Sequence, residues 1–367
     1  MNDHLLLIPE DGHLSTVFYG GFRLSLLQKQ VKMPRILVIT CPSGKQSSQL
    51  ISHLYSDKTN PETRFTLRLA AHSDASAAKL ASSYPEAEIC QTDLSSLPAC
   101  IELLKGATAV YHVGPSFHSR EKEMGLNMVD AAVTESRRPG NQFEHFVFSS
   151  VLATQHRALM QHDLKSYVEE RLMLSPINWT ILQPTNFMAM YPAAHFAKQD
   201  RPVMERLWNP KTPNSLIDLK DLAEAAAKVL REGQPHYLAQ YPLCSTLPVS
   251  DEEVAKIISK KISKEVIVKT PTFEEAVNRT LTYLFGVDEL SSSHELLGPA
   301  DGKGGTGSAG ELRRDITRDE ASRLVLFYNH RGLVGSPNVL RWLLGREPTS
   351  VESWVESQLR DAALNCD

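Results

Sequence analysis

The sequence predicts an α/β protein: a Rossmann-type, doubly wound parallel sheet with a smaller, mostly helical C-terminal substrate region. Strand and helix patterns alternate from residue 35 to about residue 190, as in βαβ units. A partial dinucleotide-binding loop follows the first apolar run and precedes the first helical pattern. With 367 residues, 42% of them hydrophobic, the chain can bury the core of one large domain or two closely packed ones.

Six strands are predicted, at residues 35–40, 65–71, 87–91, 108–114, 143–149 and 178–183. Helical patterns separate them, at residues 46–55, 75–83, 97–104, 120–135 and 159–174. We therefore expect an N-terminal extension over 1–32, an NAD(P)-binding core over 33–190 and a substrate region over 191–367 that is interleaved with the core. Residues 1–32 are either an additional terminal segment or the result of a start codon set too early, with Met33 as the core's own beginning.

The strand and helix alternation ends after Pro184. Residues 185–215 are rich in Phe, Met, Tyr, Pro and Trp, which predicts a loop-rich lining over the carboxyl ends of the strands. Helices are expected at 218–231, with Asp218 as the cap, and through 250–285 around a short strand at 266–268. The glycine-rich stretch 298–310 predicts a flexible loop, and helices return at 318–330, 337–344 and 350–364.

Composition excludes several classes of protein. The net charge is −4 and the basic residues are dispersed, so we expect no nucleic-acid partner. No apolar stretch is long enough to cross a bilayer, and no secretory signal begins the chain, so the cytoplasm is the expected location. The five cysteines lack metal-ligand spacing, which predicts free thiols and no metal site.

The loop at residues 40–47 keeps one glycine of the spacing G-x-x-G-x-x-G, at Gly44, while Cys41 and Ser47 occupy the other two positions. Gly44 would let backbone amides at a helix N-terminus approach a pyrophosphate. Small side chains at the other positions are expected to fit with little displacement. The sequence therefore predicts cofactor contacts from Cys41, Ser43, Gly44, Lys45 and Gln46, with a plain strand-to-helix turn as the alternative.

Later strand ends complete the predicted cofactor site. His72 follows the second strand, where an NADP site often has an arginine for the 2′-phosphate and an NAD site has a carboxylate for the ribose. Since no carboxylate stands there, NADP(H) is favoured over NAD(H). Asp93, Gly114 and Pro115 are the remaining predicted cofactor residues, with an ordinary Gly-Pro turn as the alternative for Gly114.

Ser149 and Ser150 end the fifth predicted strand, and a helix carrying His162 and Lys165 follows. Typical short-chain dehydrogenases have a tyrosine four residues before this lysine, but here that residue is Gln161, which cannot act as an acid.

The helix offers two other groups in place of a tyrosine. We take His162 as the candidate acid, with a solvent-exposed histidine as the alternative. Lys165 is the candidate ribose-binding lysine, with a surface lysine as the alternative. Tyr167 lies about 200° around the helix from Lys165 and is expected in the core or a subunit contact.

Four apolar or aromatic residues are predicted to form the wall of a substrate pocket, with ordinary core packing as the alternative. They are Phe187, Met188, Tyr191 and Trp208.

Together, these residues resemble the NmrA-like family of atypical short-chain dehydrogenases, especially the branch abundant in filamentous fungi. The matching segments are 35–40 (RILVIT), 110–115 (VYHVGP), 146–150 (FVFSS), 162–165 (HDLK), 168–170 (VEE), 179–184 (WTILQP), 187–188 (FM) and 338–348 (NVLRWLLGREP). The resemblance covers the chain from about residue 33 to its C-terminus. The chain departs from the family's pattern at Cys41 and Ser47, and it lacks the family's usual arginine near His72.

The resemblance implies an NADP(H)-binding Rossmann core and a smaller C-terminal substrate region. Some members are reductases whose lysine, matched here by Lys165, acts without the tyrosine, and others are redox-sensing regulators. We therefore expect an NADPH-dependent reductase acting on a carbonyl or enone of an aromatic or polyketide-like specialised metabolite. A non-redox isomerase, dehydratase or cyclase and a dinucleotide-sensing regulator stay open, as does a homodimer.

Overall fold

A computed structural model describes residues 16–19, 22–25, 34–56, 64–115, 118, 120–285 and 307–364. The chain divides into two units, one ending at Pro34 and the other running from Arg35 to the C-terminus. In the first unit, strands β1 (Thr16–Tyr19) and β2 (Phe22–Ser25) pair as an antiparallel hairpin. All elements below belong to the second unit.

Seven parallel strands form the central sheet. They are β3 (Arg35–Ile39), β4 (Phe65–Ala71), β5 (Glu88–Gln91), β6 (Ala109–Val113), β7 (His145–Ser149), β8 (Trp179–Pro184) and β12 (Ala239–Leu243). Their order across the sheet is β12-β8-β7-β6-β3-β4-β5, and every neighbouring pair is parallel. This is the doubly wound arrangement expected from the sequence.

Helices cover both faces of the sheet. The first five are α1 (Lys45–Ser56), α2 (Asp74–Ser83), α3 (Leu97–Leu104), α4 (Glu121–Ser136) and α5 (Met160–Met173). Along β3, Leu37 and Ile39 belong to the core that includes α1, whereas Val38 belongs to the core formed with α3, α4 and α5. Successive side chains of a strand point to opposite faces, so a strand covered on both sides needs an unbroken apolar run.

The C-terminal part of the chain contributes the remaining strands and helices. They are β9 (Asn186–Phe187), α6 (Ala193–Ala197), β10 (Val203–Glu205), β11 (Leu216–Ile217), α7 (Leu219–Glu232), α8 (Asp251–Ile262), β13 (Ile267–Lys269), α9 (Phe273–Phe285), α10 (Gly307–His330), α11 (Asn338–Leu344) and α12 (Val351–Leu364). The cap predicted at Asp218 is confirmed, since its side chain accepts a hydrogen bond from the Lys220 amide at 3.1 Å. No helix in the described ranges is both long and apolar enough to cross a membrane.

Three sequence predictions need correction. The sheet has a seventh strand, β12, which the sequence did not indicate because Pro242 lies within it. Proline removes a backbone donor and is tolerated at a sheet edge, and β12 pairs only with β8. Residues 185–215 contain β9, α6 and β10 rather than loop alone. Residues 307–310 of the predicted loop 298–310 form the start of α10, and 298–306 lie outside the described residues.

Asp221 anchors the C-terminal segment to the core. It is fully buried on α7, and its carboxylate accepts hydrogen bonds from the Ser245 hydroxyl at 2.7 Å, the Arg346 guanidinium at 2.8 Å, and the Thr349 amide at 2.7 Å and hydroxyl at 3.0 Å. One buried charge thus fixes the start of α7, the chain after β12 and the connection between α11 and α12.

We expect Asp221→Ala to lower the free energy of unfolding by about 3 kcal/mol, because it leaves the buried Ser245 hydroxyl and the half-buried amide and hydroxyl of Thr349 without their acceptor. Glu224→Ala is the matched control: it removes a carboxylate that also binds Arg346 but is 37% exposed, and should cost less than about 1 kcal/mol. Urea unfolding at neutral pH measures both variants. Equal losses would show that Asp221 is not an anchor.

Candidate active site at the carboxyl ends of the strands

The candidate site lies at the switch point of the sheet, between β3 and β6. These strands are neighbours, yet the chain continues from β3 toward β4 on one side and from β6 toward β7 on the other. In such sheets a crevice opens at the carboxyl ends of the two diverging strands, and ligands bind there. The loop after β3 and Gly114 after β6 both face this position.

The loop after β3 keeps the shape of a dinucleotide-binding turn despite its two missing glycines. Cys41 adopts a positive φ of 46°, a region that favours glycine. The Gly44 amide donates to the Cys41 carbonyl at 2.9 Å, and a Cβ at residue 44 would lie only 3.1 Å from that oxygen. Ser47 is buried at the start of α1, and its hydroxyl donates to the Thr40 carbonyl at 2.9 Å. The turn therefore presents the N-terminus of α1, a suitable place for a phosphate.

A second hydrogen-bonded group joins β3 to β6 beside this loop. The Thr40 hydroxyl donates to the Val113 carbonyl at 3.0 Å, accepts from the Val113 amide at 2.8 Å and lies 3.0 Å from His112 Nδ1. Burial, followed by the charge on Lys165, lowers the pKa of His112 to about 3, so the ring is neutral. With the Thr40 proton already committed, Nδ1 is assigned as the donor, which leaves His112 Nε2 as a buried acceptor without a partner in the described part of the chain.

A buried ion pair between Lys165 and Glu121 lies at the centre of the site. Lys165 comes from α5 and Glu121 from the first turn of α4, and their side chains are only 7% and 3% exposed. The Lys165 ammonium donates to Glu121 Oε1, while Glu121 Oε2 is buried without a partner among the described residues. Lys165 is therefore a buried residue and not the surface lysine that the sequence left open.

Gly114 and Cys41 lie against this ion pair. A Cβ at residue 114 would lie 3.0 Å from both Cγ and Oε1 of Glu121, so a larger side chain there would displace the carboxylate. Burial first, and then the negative charge on Glu121, raise the pKa of the Cys41 thiol to about 11. The Gly114 contact and the influence of Glu121 on Cys41 place the ion pair next to the loop after β3. The raised pKa shows that Cys41 is a neutral thiol at physiological pH.

Sequence reasoning missed Glu121, although the pattern holds a signal for it. Glu121, Gly125, Met128 and Ala132 follow the helical spacing of 4, 3 and 4 residues, and all four are buried. A carboxylate in line with an apolar stripe needs a buried cation, and Lys165 on the adjacent helix is that cation.

Ser149 and Ser150 end β7 in different environments. The Ser149 hydroxyl donates to Gln46 Oε1 at 2.6 Å and so joins β7 to the start of α1. The Ser150 hydroxyl is buried and has no partner among the described residues. The structure thus connects Gln46, a predicted cofactor residue, with Ser149, a predicted catalytic one.

His162 is fully buried, which excludes the solvent-exposed alternative. Its Nδ1 lies 2.8 Å from the Ala153 carbonyl, and burial lowers its pKa to about 4. At neutral pH the ring is therefore uncharged, Nδ1 carries the proton, and the buried Nε2 has no partner among the residues that the structure describes. This state argues against the predicted role as an acid and leaves Nε2 as an acceptor.

Tyr167, expected in the core or a subunit contact, is 36% exposed and lies between the cations of Lys122 and Arg157.

The strand ends farther along the sheet hold a polar cluster. His72 is exposed after β4. The pKa of Asp93, after β5, is lowered chiefly by hydrogen bonds from Ser95 and also by the charges of Arg120 and His72. Arg120 is a cation that the sequence analysis did not consider, and its guanidinium binds both oxygens of Glu123 at 2.6 and 2.7 Å.

Other predicted cofactor residues lie nearer the loop. Ser43 shares a hydrogen bond of 3.1 Å with Ser76 of α2, Lys45 is exposed, and Pro115 is half-buried after Gly114.

The four residues predicted to form a substrate wall do not share one environment. Met188 and Tyr191 are almost completely buried in the core that includes α8 and α12. Phe187 is half-buried against the core on the α1 face of the sheet. Trp208 stacks on Tyr328, with 4.6 Å between ring centroids. For Met188 the structure therefore shows core packing, the alternative that the sequence left open.

Comparison with known proteins identifies related sequences and folds. The model of the NmrA-like family matches residues 33–304. No curated protein sequence matches the chain closely enough to show common descent.

Solved structures share the fold at low sequence identity. The NADPH-dependent quinone oxidoreductase QOR2 of Escherichia coli, complexed with NADPH, is 17% identical with a TM-score of 0.62, over 88% of this chain and 99% of that one. The triphenylmethane reductase of Citrobacter sp., complexed with NADP(H), is 17% identical with a TM-score of 0.63, over 89% and 99%. NmrA, a negative transcriptional regulator in complex with NAD, is 15% identical with a TM-score of 0.62, over 91% and 98%.

Breaking the Lys165–Glu121 pair from one side should be costly. We expect Lys165→Met to lower the free energy of unfolding by about 3–5 kcal/mol, since it leaves a buried carboxylate unpaired. The double variant Lys165→Met with Glu121→Leu should recover most of that loss, because it removes both charges. Arg171→Met is the matched control, because Arg171 and Asp130 also join α5 to α4 but are 37% and 39% exposed. It should cost less than about 1 kcal/mol. Urea unfolding decides, and a double variant no more stable than Lys165→Met would contradict the buried pair.

His162 should make the protein less stable in mild acid. Its pKa is about 4 when folded against 6.5 as the ordinary value, so the unfolded state binds more protons between these pH values. Stability conferred by the neutral ring is complete above pH 6.5 and falls toward pH 4, by roughly 2 kcal/mol at pH 5. His162→Asn, whose amide can still donate to the Ala153 carbonyl, should lose less between pH 7 and pH 5 than the wild type. Parallel losses in urea unfolding would refute this assignment.

Proposed function

The chain belongs to the NmrA-like family, and on that premise we propose that it is an NADPH-dependent reductase. Its substrate would be a carbonyl or conjugated enone of an aromatic or polyketide-like specialised metabolite. The observation that carries the proposal is the position of Lys165, a buried ammonium at the carboxyl ends of the central strands and next to the turn after β3. Two fold relatives bear the names of reductases and were crystallised with NADPH or NADP(H), which supports this choice.

The residues at the switch point fit a dinucleotide. The pyrophosphate would lie on the first-turn amides of α1, where Gly44 brings the backbone close and the helix dipole favours an anion. Gly114 lets the Glu121 carboxylate approach the backbone after β6, and the ribose and nicotinamide end would lie beside that carboxylate. Three buried polar atoms at these strand and helix ends have no partner within the described ranges, namely His112 Nε2, Glu121 Oε2 and Ser150 Oγ. Such atoms are expected where a polar ligand or ordered water completes the hydrogen bonding.

The phosphorylated cofactor is preferred because of the residues after β4. His72 and Ser73 follow that strand, and neither is the carboxylate that would hold the 2′-hydroxyl of an unphosphorylated ribose. Arg120 supplies positive charge nearby, as its effect on the pKa of Asp93 indicates, and the imidazole of His72 can donate a hydrogen bond to a phosphate. We therefore place the 2′-phosphate at this end of the site. The bound cofactor would supply the hydride.

Lys165 would stabilise the negative charge that develops on the substrate oxygen. An ammonium has three donors, and Glu121 engages one of them. The remaining donors can serve a ribose hydroxyl and the substrate oxygen, so the ion pair orients the lysine without consuming it. Gln161 cannot provide a proton at the position of the usual tyrosine. Because His162 is neutral at physiological pH, ordered water is the proton source in this proposal.

A dinucleotide-sensing regulator is the second candidate. Lys165 is bonded to Glu121 already, and no phenol lies one turn before it, so the machinery for turnover is incomplete relative to a typical short-chain dehydrogenase. A regulator shares this fold. This candidate requires cofactor binding and a protein partner but no hydride transfer.

Titration calorimetry with NADPH, NADP⁺ and NADH should show micromolar affinity for the phosphorylated pair. The protein should then oxidise NADPH in the presence of a naphthoquinone or an aromatic enone. The falling absorbance of the reduced nicotinamide measures this reaction. We expect Lys165→Met to reduce kcat about a hundred-fold or more through loss of oxyanion stabilisation. Lys228→Met, an exposed lysine paired with Glu232, is the control and should leave turnover unchanged.

The outcomes separate the candidates. Tight NADPH binding without turnover of any tested carbonyl favours the regulator. Full turnover in the absence of nicotinamide would replace the reductase with a non-redox isomerase, dehydratase or cyclase. Failure to bind any nicotinamide nucleotide would overturn both the reductase and the sensor.

A further inference from the structure

Arg206 is a buried arginine whose side chain makes no hydrogen bond within the described part of the chain. The side chain is 9% exposed, and Nε lies 2.9 Å from Asp251 Oδ2, in a geometry that satisfies neither atom as a hydrogen bond. The two terminal nitrogens also lack a partner there, but unlike Nε they are not sealed from solvent. A guanidinium carries five N–H donors, and buried polar groups are normally satisfied. This pattern therefore points to a missing ligand.

Aromatic rings fix the guanidinium in place. Its Cζ lies 4.8 Å from the centroid of the Tyr191 ring and 5.2 Å from that of Trp208, within the range of cation–π attraction. Trp208 stacks on Tyr328 with an angle of 24° between the ring planes. Its Nε1 is a further buried donor without a partner in the described ranges. The cluster thus combines a pre-positioned cation with a flat aromatic surface.

Asp251 explains how the cation is tolerated without a ligand. Its carboxylate is almost completely buried and accepts a hydrogen bond from the Tyr191 hydroxyl. A lone buried charge would be costly, and the nearby carboxylate offsets that cost. Because Asp251 faces Nε, the outer edge of the guanidinium, formed by its terminal nitrogens, is left for another anion.

The cluster adjoins the candidate active site. Trp208 and Tyr328 pack with Leu152 and Leu159, which lie two residues after Ser150 and three residues before His162. Aromatic contacts continue the connection: Phe327 lies 5.4 Å from the His156 ring, and His156 lies 6.3 Å from the His162 ring. A ligand on Arg206 would therefore extend toward the end of β7 and the start of α5.

We propose that Arg206 binds an anionic oxygen, carboxylate or phenolate, of a planar aromatic ligand whose ring lies along Trp208. The planar guanidinium fork matches a carboxylate with two parallel hydrogen bonds, and a phenolate accepts from the same donors. This inference deepens the proposed reductase by naming its substrate class as an aromatic acid. It depends on that function only for catalysis, because ligand binding at Arg206 needs no nicotinamide.

The test uses the purified full-length protein, first without nicotinamide and then with NADPH. Calorimetry or ligand-observed NMR compares 2-naphthoate, its neutral methyl ester and 2-naphthol. We expect the acid to bind at least about ten-fold more tightly than the ester, a difference of about 1.4 kcal/mol. Binding of 2-naphthol that strengthens as the phenol ionises would identify phenolate as the preferred anion, and naphthoate binding alone would identify carboxylate. Equal affinity for acid and ester, or no binding of any probe, would overturn the proposal.

Variants locate the site. Arg206→Lys keeps the charge but loses the fork, and should weaken naphthoate binding about ten-fold or more while leaving the ester unaffected. Arg279→Lys is the matched control, since Arg279 lies in an exposed ion pair with Glu205. This variant should bind naphthoate as tightly as the wild type does. Trp208→Leu should weaken the acid and the ester alike. Unchanged naphthoate affinity in folded Arg206→Lys would overturn the proposal, and the acid–ester comparison in the wild type decides if that variant does not fold.

The nicotinamide-free arm separates the two proposals. Naphthoate binding at Arg206 in a protein that binds no NADPH would leave this site standing and remove the reductase. NADPH oxidation by a protein that binds the acid and the ester equally well would support the reductase and overturn the proposed site at Arg206.

Discussion

The pairing of Lys165 with Glu121 is the constraint on which the candidate site depends. Each of these buried charges is stable only when it is paired with the other, so α4 and α5 must pack at fixed positions beside β6. The absence of a side chain at Gly114 belongs to the same constraint, since the carboxylate occupies the space that a Cβ would need. In place of a tyrosine on its own helix, the lysine has a carboxylate from the helix next to it.

Local patterns predicted the parallel sheet and six of its seven strands well. The apolar runs of β3, β4 and β6 are unambiguous because both faces of those strands are covered. The edge strand β12 was missed because Pro242 lies within it, and because its half-buried and exposed residues do not form the unbroken apolar run of the central strands. The family resemblance indicated Lys165 as a candidate functional residue, whereas its partner Glu121 was missed although it continues the buried stripe of α4. Acidic residues in a first helical turn usually complement the helix dipole in solvent, and only the tertiary structure shows that Glu121 is buried.

The C-terminal part of the chain is organised by buried polar groups more than by long strands. Asp221 of α7 binds two separate segments, the chain after β12 and the connection between α11 and α12, and Asp251 lies beside Arg206 and accepts a hydrogen bond from Tyr191. Short strands and loops bury little apolar surface of their own, so directional hydrogen bonds and ion pairs determine where they lie. Sequence patterns do not predict such contacts, because their partners are far apart in the chain and lack a repeating spacing. The four residues expected to form one wall belong to three apolar clusters, although Tyr191 and Trp208 both contact the Arg206 guanidinium.

Pro242 has a consequence for how copies of this protein can meet. In a parallel strand, alternate residues direct their backbone groups to opposite sides, and the Leu243 carbonyl accepts from the Thr185 amide next to β8. Pro242 therefore faces outward, where it presents no N–H group to an incoming strand. The ring of Trp342 also lies 5.9 Å from that of Tyr241 at this edge. Growth of the sheet from one molecule into the next is blocked at this border, so self-association by strand addition there, ordered or amyloid-like, is disfavoured.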